Sequence, residues 1–137
     1  MYTLLIPVDS EPESAEYAVE AITEFPGSDQ LTAVILNVQK EVDAPGFDSE
    51  EFYDETAFPK SVEIAEDRLR SAGIETTKRR EHGDPAEQIL EVAAEIDADQ
   101  IVIGNKKRSP TGKALFGSVT QSVMLDTDLP VTVVSRD

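Results

Sequence analysis

The chain has 137 residues, no cysteine and a formal net charge of −16, with 28 acidic residues against 12 lysines and arginines. The length predicts a single domain over residues 1–137, and the lack of cysteine excludes disulfides, thiolate metal sites and cysteine nucleophiles. A surface this negative repels nucleic acid and anionic membranes, so we expect neither as a partner. The chain opens on the strand-like run MYTLLIPV without a signal peptide, and no apolar run approaches membrane-spanning length, which predicts a cytoplasmic protein.

The acidic residues are spread along most of the chain and do not form a tail. Charges at this density repel one another and destabilise the compact state in dilute buffer. Salt screens this repulsion, because the Debye length falls to about 3 Å at 1 M. We therefore expect a protein of a salt-loving organism; the alternative is an ordinary acidic cytosolic protein.

The first part of the chain predicts a strand, a helix and a second strand. Residues 2–8 and 31–38 are short apolar runs, typical of strands buried on both faces. Between these two strands, Ser10 and Glu13 fit a capping box, and Pro12 lies in the first helical turn, where proline is tolerated. Apolar residues then recur at helical spacing: Ala15, Ala18, Val19, Ile22 and Phe25.

The middle of the chain begins with residues 41–59, an acidic stretch that predicts a long surface connection, part of it helical. A second helix is predicted over residues 60–72, followed by a polar strand over residues 74–81 that suits a sheet edge. Asp84 and Pro85 are a typical cap and first-turn proline of a third helix. Its predicted core face is Ile89, Leu90, Ala93 and Ile96.

The last part contains a third apolar strand that ends at Gly104, a helix whose capping box is Ser118 with Gln121, and a final strand at Val131–Ser135. Strict alternation of apolar strands with helices predicts an α/β fold with a parallel sheet. Five strands joined by right-handed crossovers commonly take the order 3-2-1-4-5. We therefore predict an open five-stranded parallel sheet in that order, with helices on both faces.

A ligand site is expected beyond the carboxyl ends of the strands, where the strand order reverses. Here the reversal lies between the first and fourth strands, so residues 7–10 and the loop from Gly104 to Gly117 should meet. That loop has four of the 12 cations, and the helix after it presents free amides to an anion. Each feature alone also suits a turn, a cap or charge relief; together they predict anion binding.

The loop also contains GK at Gly112 and Lys113, but it is not the phosphate-loop motif G-x-x-x-x-G-K-[ST]. Lys107 stands at the first glycine and Ala114 at the hydroxyl that would bind Mg²⁺. His82, the single histidine, is predicted to be an exposed strand-end residue. The basic run at residues 78–80 is predicted to be solvated or paired with acids, with partner docking as the lesser alternative.

Gly104, Gly117 and Ser118 fall in the register of G-x-x-G, nine residues, then G-[ST], which is the signature of the universal stress proteins. The chain resembles this family almost throughout, including IPVDS, VILNV, the GDP turn and the closing PVTVV. The resemblance implies the adenine nucleotide alpha hydrolase-like fold with strand order 3-2-1-4-5. It also implies a homodimer, often formed through the last strand, Val131–Ser135. The departure from the signature is Lys107, where the family has its second glycine.

In nucleotide-binding members of that family, ATP lies across the switch point. The resemblance implies that Pro7 and Asp9 sit by the adenosine and that Val38 and Ile103 line the base and ribose pocket. It also implies that the two glycines, Ser118 and Val119 face ribose and phosphates. At Lys107 the side chain either fills the phosphate space or replaces lost amide contacts with its ammonium. The implied site positions are Pro7, Asp9, Val38, Ile103, Gly104, Lys107, Gly117, Ser118 and Val119.

The predicted function is that of a stress-response module which binds ATP or a related adenine nucleotide, with or without Mg²⁺. It would act through conformation or partner contact, with at most slow ATP hydrolysis. The alternative is a dimeric interaction protein of the same fold that binds no nucleotide, because Lys107 alters its phosphate loop. A true phosphohydrolase is the weakest hypothesis, since the sequence shows no general base, arginine finger or metal cage.

Overall fold

The computed structural model describes residues 1–39, 58–105 and 116–135. Within them, strands and helices alternate along the chain as the apolar pattern predicts. The strands are β1 (Tyr2–Pro7), β2 (Leu31–Gln39), β3 (Glu75–His82), β4 (Gln100–Asn105) and β5 (Val131–Ser135). The helices are α1 (Pro12–Thr23), α2 (Lys60–Ser71), α3 (Pro85–Glu95) and α4 (Ser118–Asp126), with a 3₁₀ turn at Ser28–Gln30.

The five strands form one sheet in the order β3-β2-β1-β4-β5, and every pairing is parallel. This confirms the predicted order and places its reversal between β1 and β4. Leu4 of β1 lies opposite Ala33 of β2 on one side and Gln100 of β4 on the other. The connections that follow β1 and β4 therefore leave the sheet as neighbours, at the carboxyl ends of these strands.

Helices cover both faces of the sheet, as predicted, because successive side chains of a strand point to opposite faces. Leu4 and Ile6 join one buried cluster with α1 and α2, whereas Leu5 joins a second cluster with α3 and α4. All three side chains are fully buried. Burial of each large aliphatic side chain stabilises the fold by roughly 1.5–3 kcal/mol.

The helix starts agree only in part with the predicted caps. Asp84 caps α3 as predicted, its carboxylate accepting from the Glu87 amide at 3.1 Å. The capping boxes at Ser10 and Ser118 are wrong. Helix α1 begins at Pro12, after a turn in which the Asp9 carboxylate accepts from the Glu11 amide, and α4 begins at Ser118 with Gly117 as its cap.

The buried face of α3 also differs from the prediction. Ile89 and Ala93 are buried as expected, but Val92 completes the face, while Leu90 is only partly buried. Ile96 packs against the same cluster and is partly buried. Residues 41–57 of the predicted surface connection lie outside the described part of the chain.

Strand β3 is an edge strand, and two of its cations pair with acids, as predicted for this polar run. Lys78 lies 3.6 Å from Glu66, and the Arg79 guanidinium bonds Glu81 at 2.8 Å and Glu95 at 2.6 Å. The hydrogen bond to Glu95, followed by that to Glu81, raises the pKa of Arg79. None of the described helices is both long and apolar enough to cross a membrane.

Candidate functional site

A cavity of about 560 Å³ opens at the carboxyl ends of β1, β2 and β4. It lies where the strand order reverses, which is the place that the predicted fold assigns to a ligand. Eight of the nine predicted site residues line it: Pro7, Asp9, Val38, Ile103, Gly104, Gly117, Ser118 and Val119. The ninth, Lys107, lies outside the described residues, as do the other cations of its loop.

Polar residues that the sequence reasoning missed also line the cavity, among them Asn37, Gln39 and Asn105. Asn37 and Asn105 are buried near the carboxyl ends of strands whose other buried members are apolar. The signal that could have found Asn37 is a polar residue inside an apolar run, whereas Asn105 stands just after the apolar run of its strand. His82, by contrast, ends β3 as an exposed residue and is not among the described lining residues.

The connection from β1 to α1 is held in place by four hydrogen bonds. The Val8 amide donates to the Leu36 carbonyl at 2.8 Å, and the Glu11 amide donates to Asp9 Oδ1 at 2.9 Å. The side chains of Asn37 and Ser61 donate to the carbonyls of Val8 and Asp9, at 2.9 and 2.5 Å. The backbone that carries the Asp9 side chain is therefore held by contacts with β2, with α2 and within its own turn.

Gly104 is a glycine because α1 crosses β4 at this point. A Cβ atom added to it would lie 1.7 Å from the Ser14 carbonyl oxygen and 2.7 Å from its carbonyl carbon. The backbone that approaches Gly104 here is that of α1. The lack of a side chain at Gly104 is thus explained by helix packing before any ligand is considered.

Four of the described helices begin at the cavity: Glu11 and Ser14 line it at the start of α1, Pro59 at the start of α2, Pro85 at the start of α3, and Ser118 at the start of α4. The free amides and positive dipole end of each helix favour an anion. The charged side chains among the described lining residues are carboxylates, Asp9 and Glu11. In the described part of the chain, the attraction for an anion therefore comes from backbone groups.

Metal ligands are sparse in the described part of the chain, where no group of three or more His, Asp or Glu side chains could hold an ion. Among the described residues, the cavity combines apolar walls, two carboxylates and four helix starts.

The open parallel sheet and the hollow at its switch point define a doubly wound α/β protein with a site for a small ligand. The sequence matches the universal stress protein family over residues 1–135, and the chain belongs to that family. The resemblance drawn from the signature, with its strand order, is thereby confirmed.

Three relatives show how far the sequence likeness extends. Over 52 residues the chain is 44% identical to the stress response protein NhaX of Bacillus subtilis, covering 38% of this chain and 31% of that protein. It is 35% identical over 85 residues to a universal stress protein of Mycolicibacterium smegmatis, covering 60% and 65%. With the universal stress protein Sll1654 of Synechocystis sp. the identity is 30% over 138 residues, covering 96% and 84%. The chain thus matches less than two thirds of the first two relatives.

Solved structures show the likeness of the fold. A universal stress protein of Archaeoglobus fulgidus superposes with a TM-score of 0.75 at 27% identity, covering 98% of both chains. Another from that organism, in complex with dAMP, gives 0.70 at 21% identity and the same coverage. A family member from Arabidopsis thaliana with AMP bound gives 0.73 at 16% identity, covering 100% of this chain and 93% of that one.

Proposed function

We propose that this chain binds an adenine nucleotide in the cavity at the ends of β1, β2 and β4, and acts in a stress response through conformation or partner contact. The observation that carries the proposal is the convergence of eight predicted site residues on one hollow. Two members of the same fold are seen with dAMP and AMP, which supports this ligand class.

The cavity suits such a ligand in size and chemistry. Its volume of about 560 Å³ falls within the roughly 300–1,000 Å³ of small-molecule sites. Val38 and Ile103 supply apolar surface for a base, and the Asp9 carboxylate accepts from hydroxyl or amino groups. The start of α4 at Ser118 supplies amides for phosphate oxygens. ATP with Mg²⁺ is the fuller form of the proposal, because a cation would offset repulsion between the phosphates and the two carboxylates.

Calorimetric titration of the purified chain in molar KCl tests the proposal. AMP, ATP, ATP with MgCl₂ and GMP are compared, and we expect saturable binding of the adenine nucleotides with weaker binding of GMP. Mass spectrometry of the gently denatured protein adds a second test, because a tightly held nucleotide co-purifies. If none of these nucleotides binds and none co-purifies, the proposal is refuted.

The competing function is that of a dimeric interaction protein without a nucleotide, and the observation that favours it is Lys107 in place of the signature glycine. A parent chain that fails to bind, together with a Lys107→Gly variant that binds, would establish this alternative. If Lys107→Gly binds no better than the parent, the side chain does not obstruct the site. Failure of both chains to bind removes the nucleotide site altogether.

A homodimer through Val131–Ser135 belongs to the proposal under either function. β5 pairs with β4 and is an edge strand of the described sheet. A second copy of the strand would cover that edge. A cytoplasmic location is likewise part of the proposal, and cell fractionation would test it.

A further inference from the structure

We propose that Asn37 and Ser61 are positioning residues that fix the connection between β1 and α1 in one conformation and thereby set the affinity of the cavity for its ligand. The second half of this inference rests on the nucleotide-binding function proposed above. The two side chains come from β2 and α2, and their residues are 2% and 0% exposed. They donate to two consecutive carbonyls, those of Val8 and Asp9, at 2.9 and 2.5 Å.

The connection needs these donors because it has left the sheet. The register of β1 with β2 ends at Pro7, and the register with β4 covers Leu4 and Leu5. The carbonyls of Val8 and Asp9 therefore lie beyond both registers. Val8 is buried, and a buried backbone carbonyl requires a hydrogen-bond partner. Two buried side chains, each confined by its surroundings, supply those partners. The peptide planes on both sides of Asp9 are fixed as a result.

Asn37 also connects this loop to the cavity wall. Its Oδ1 accepts from Gln39 Nε2 at 2.9 Å, and Gln39 lines the cavity. Because the side-chain oxygen of Asn37 faces Gln39, the amino group of Asn37 faces the Val8 carbonyl. A ligand that touches Gln39 thus meets a partly buried chain of hydrogen bonds that runs through Asn37 to the Val8 carbonyl, next to Asp9. Because these groups are held in place before the ligand binds, binding does not have to order them, and the affinity for the ligand is higher.

Thr76 offers a matched control for a purely structural effect. It is a buried residue of β3 whose hydroxyl donates to the Ile74 carbonyl at 2.9 Å, and it is not among the described residues that line the cavity. Ser61→Ala and Thr76→Val each remove one buried hydroxyl bonded to a backbone carbonyl. A structural role alone predicts that both lower the melting temperature and that neither changes ligand affinity.

The experiment measures the melting temperature, AMP affinity by calorimetry, and amide deuterium exchange across residues 8–14 for the parent and both variants. We expect both variants to lower the melting temperature by similar amounts. Only Ser61→Ala should also bind AMP about tenfold more weakly and exchange the Glu11 amide faster. Unchanged affinity and exchange in Ser61→Ala would overturn the inference. A parent that binds no adenine nucleotide and co-purifies with none refutes the proposed function, and the exchange rates then still decide whether Ser61 orders the connection.

Asn37→Asp provides a second variant of nearly equal size. It replaces the donor to the Val8 carbonyl with an acceptor, so we expect a greater loss of AMP affinity than in Ser61→Ala. Retention of parental affinity and exchange in a folded Asn37→Asp protein would overturn the role given to Asn37. If this variant does not fold, Asn37→Ser decides in its place, because its shorter side chain removes the bond to Val8 without adding a charge.

Discussion

At the scale of single residues, a side chain at Gly104 would conflict directly with the fold. A Cβ atom would lie 1.7 Å from the Ser14 carbonyl oxygen, and a backbone atom within a helix cannot move aside alone. We expect Gly104→Ala to lower the free energy of unfolding by about 2–3 kcal/mol, because α1 must shift away from β4. Urea unfolding measures this, and a variant as stable as its parent would contradict the close packing of α1.

Asp9 permits a test of the site that leaves the local fold intact. Its carboxylate accepts from the Glu11 amide, and the amide oxygen of an asparagine can accept in the same way. Asp9→Asn should therefore keep the stability of the parent. Because a charged acceptor is lost, we expect AMP to bind about tenfold more weakly in calorimetry.

Asp67 is the control for this substitution, since it is exposed on α2 and is not among the described residues that line the cavity. Asp67→Asn changes the net charge by the same amount, so it separates the general electrostatic effect from the local one. Equal affinity in the Asp9 and Asp67 variants would show that the Asp9 carboxylate does not contact the ligand.

Residues differ in how readily the sequence reveals their role. Asp9 follows β1 and Gly104 lies near the end of β4, and the order of these strands could be inferred, so their meeting at the carboxyl ends was predictable. Ser61 was not predictable, because it meets the Asp9 carbonyl through a contact between positions 52 residues apart. The capping box at Ser10 failed for a local reason, because that motif competed with a turn formed by Asp9.

At the scale of elements, Arg79 joins the edge strand β3 to α3. It bonds Glu81 and Glu95 at 2.8 and 2.6 Å. We expect Arg79→Gln to lower the free energy of unfolding by about 0.5–1 kcal/mol, which is typical of partly exposed ion pairs, and by less in molar salt. The hydrogen bonds to Glu95 and Glu81 raise its pKa, so the guanidinium contribution is present below the unfolded pKa and fades only in strongly alkaline solution.

Arg68 serves as the control for this prediction. It also has two glutamate partners, but at 3.5 and 3.7 Å and with 44% of its side chain exposed. Arg68→Gln should therefore cost less in the same urea titration. A larger loss in Arg68→Gln than in Arg79→Gln would show that the short contacts of Arg79 do not govern the stability of this face.

The strand β5 carries the prediction about assembly. Val131 and Val134 pack against the two core clusters, and Val133 is not among the described members of either, so Val133 is the valine chosen for substitution. Light scattering of the parent in molar KCl should give twice the chain mass. Val133→Lys should give the mass of one chain, because a lysine blunts an edge strand.

The opposite edge of the sheet provides the control. Thr77 is an exposed residue of β3, and Thr77→Lys adds the same charge at the strand that is not expected to pair. This variant should remain dimeric. A parent of single-chain mass, or a Val133→Lys protein that stays dimeric, would rule out a dimer held by this edge.

Elements were the most predictable level of this molecule. Short apolar runs and helical spacing, together with Gly and Pro boundaries, predicted the strand and helix order, and right-handed crossovers favoured the strand order that the sheet has. Boundaries shifted by a residue or so: β3 runs from Glu75 to His82, against a prediction of 74–81. Such shifts follow from where the neighbouring strand ends, and the sequence of a single strand does not contain that information.

At the scale of the whole molecule, the net charge of −16 is the dominant feature. The described ion pairs engage only a few cations, such as Arg68, Arg70, Lys78 and Arg79, so they leave most of the 28 acidic residues in excess. Repulsion among these charges reaches about 10 Å at 0.1 M salt and about 3 Å at 1 M. The folded state brings the charges closer than the unfolded chain does, so screening favours folding.

We therefore expect the melting temperature and the urea midpoint to rise steadily between dilute buffer and molar KCl. Sucrose is the control, because it favours compact states by exclusion without screening charge. A second control replaces several exposed glutamates of α1 and α2 with glutamine, which should raise stability in dilute buffer and flatten its dependence on KCl. Equal stability in dilute and molar KCl would contradict adaptation to salt, and the acidic surface would then need another physical explanation.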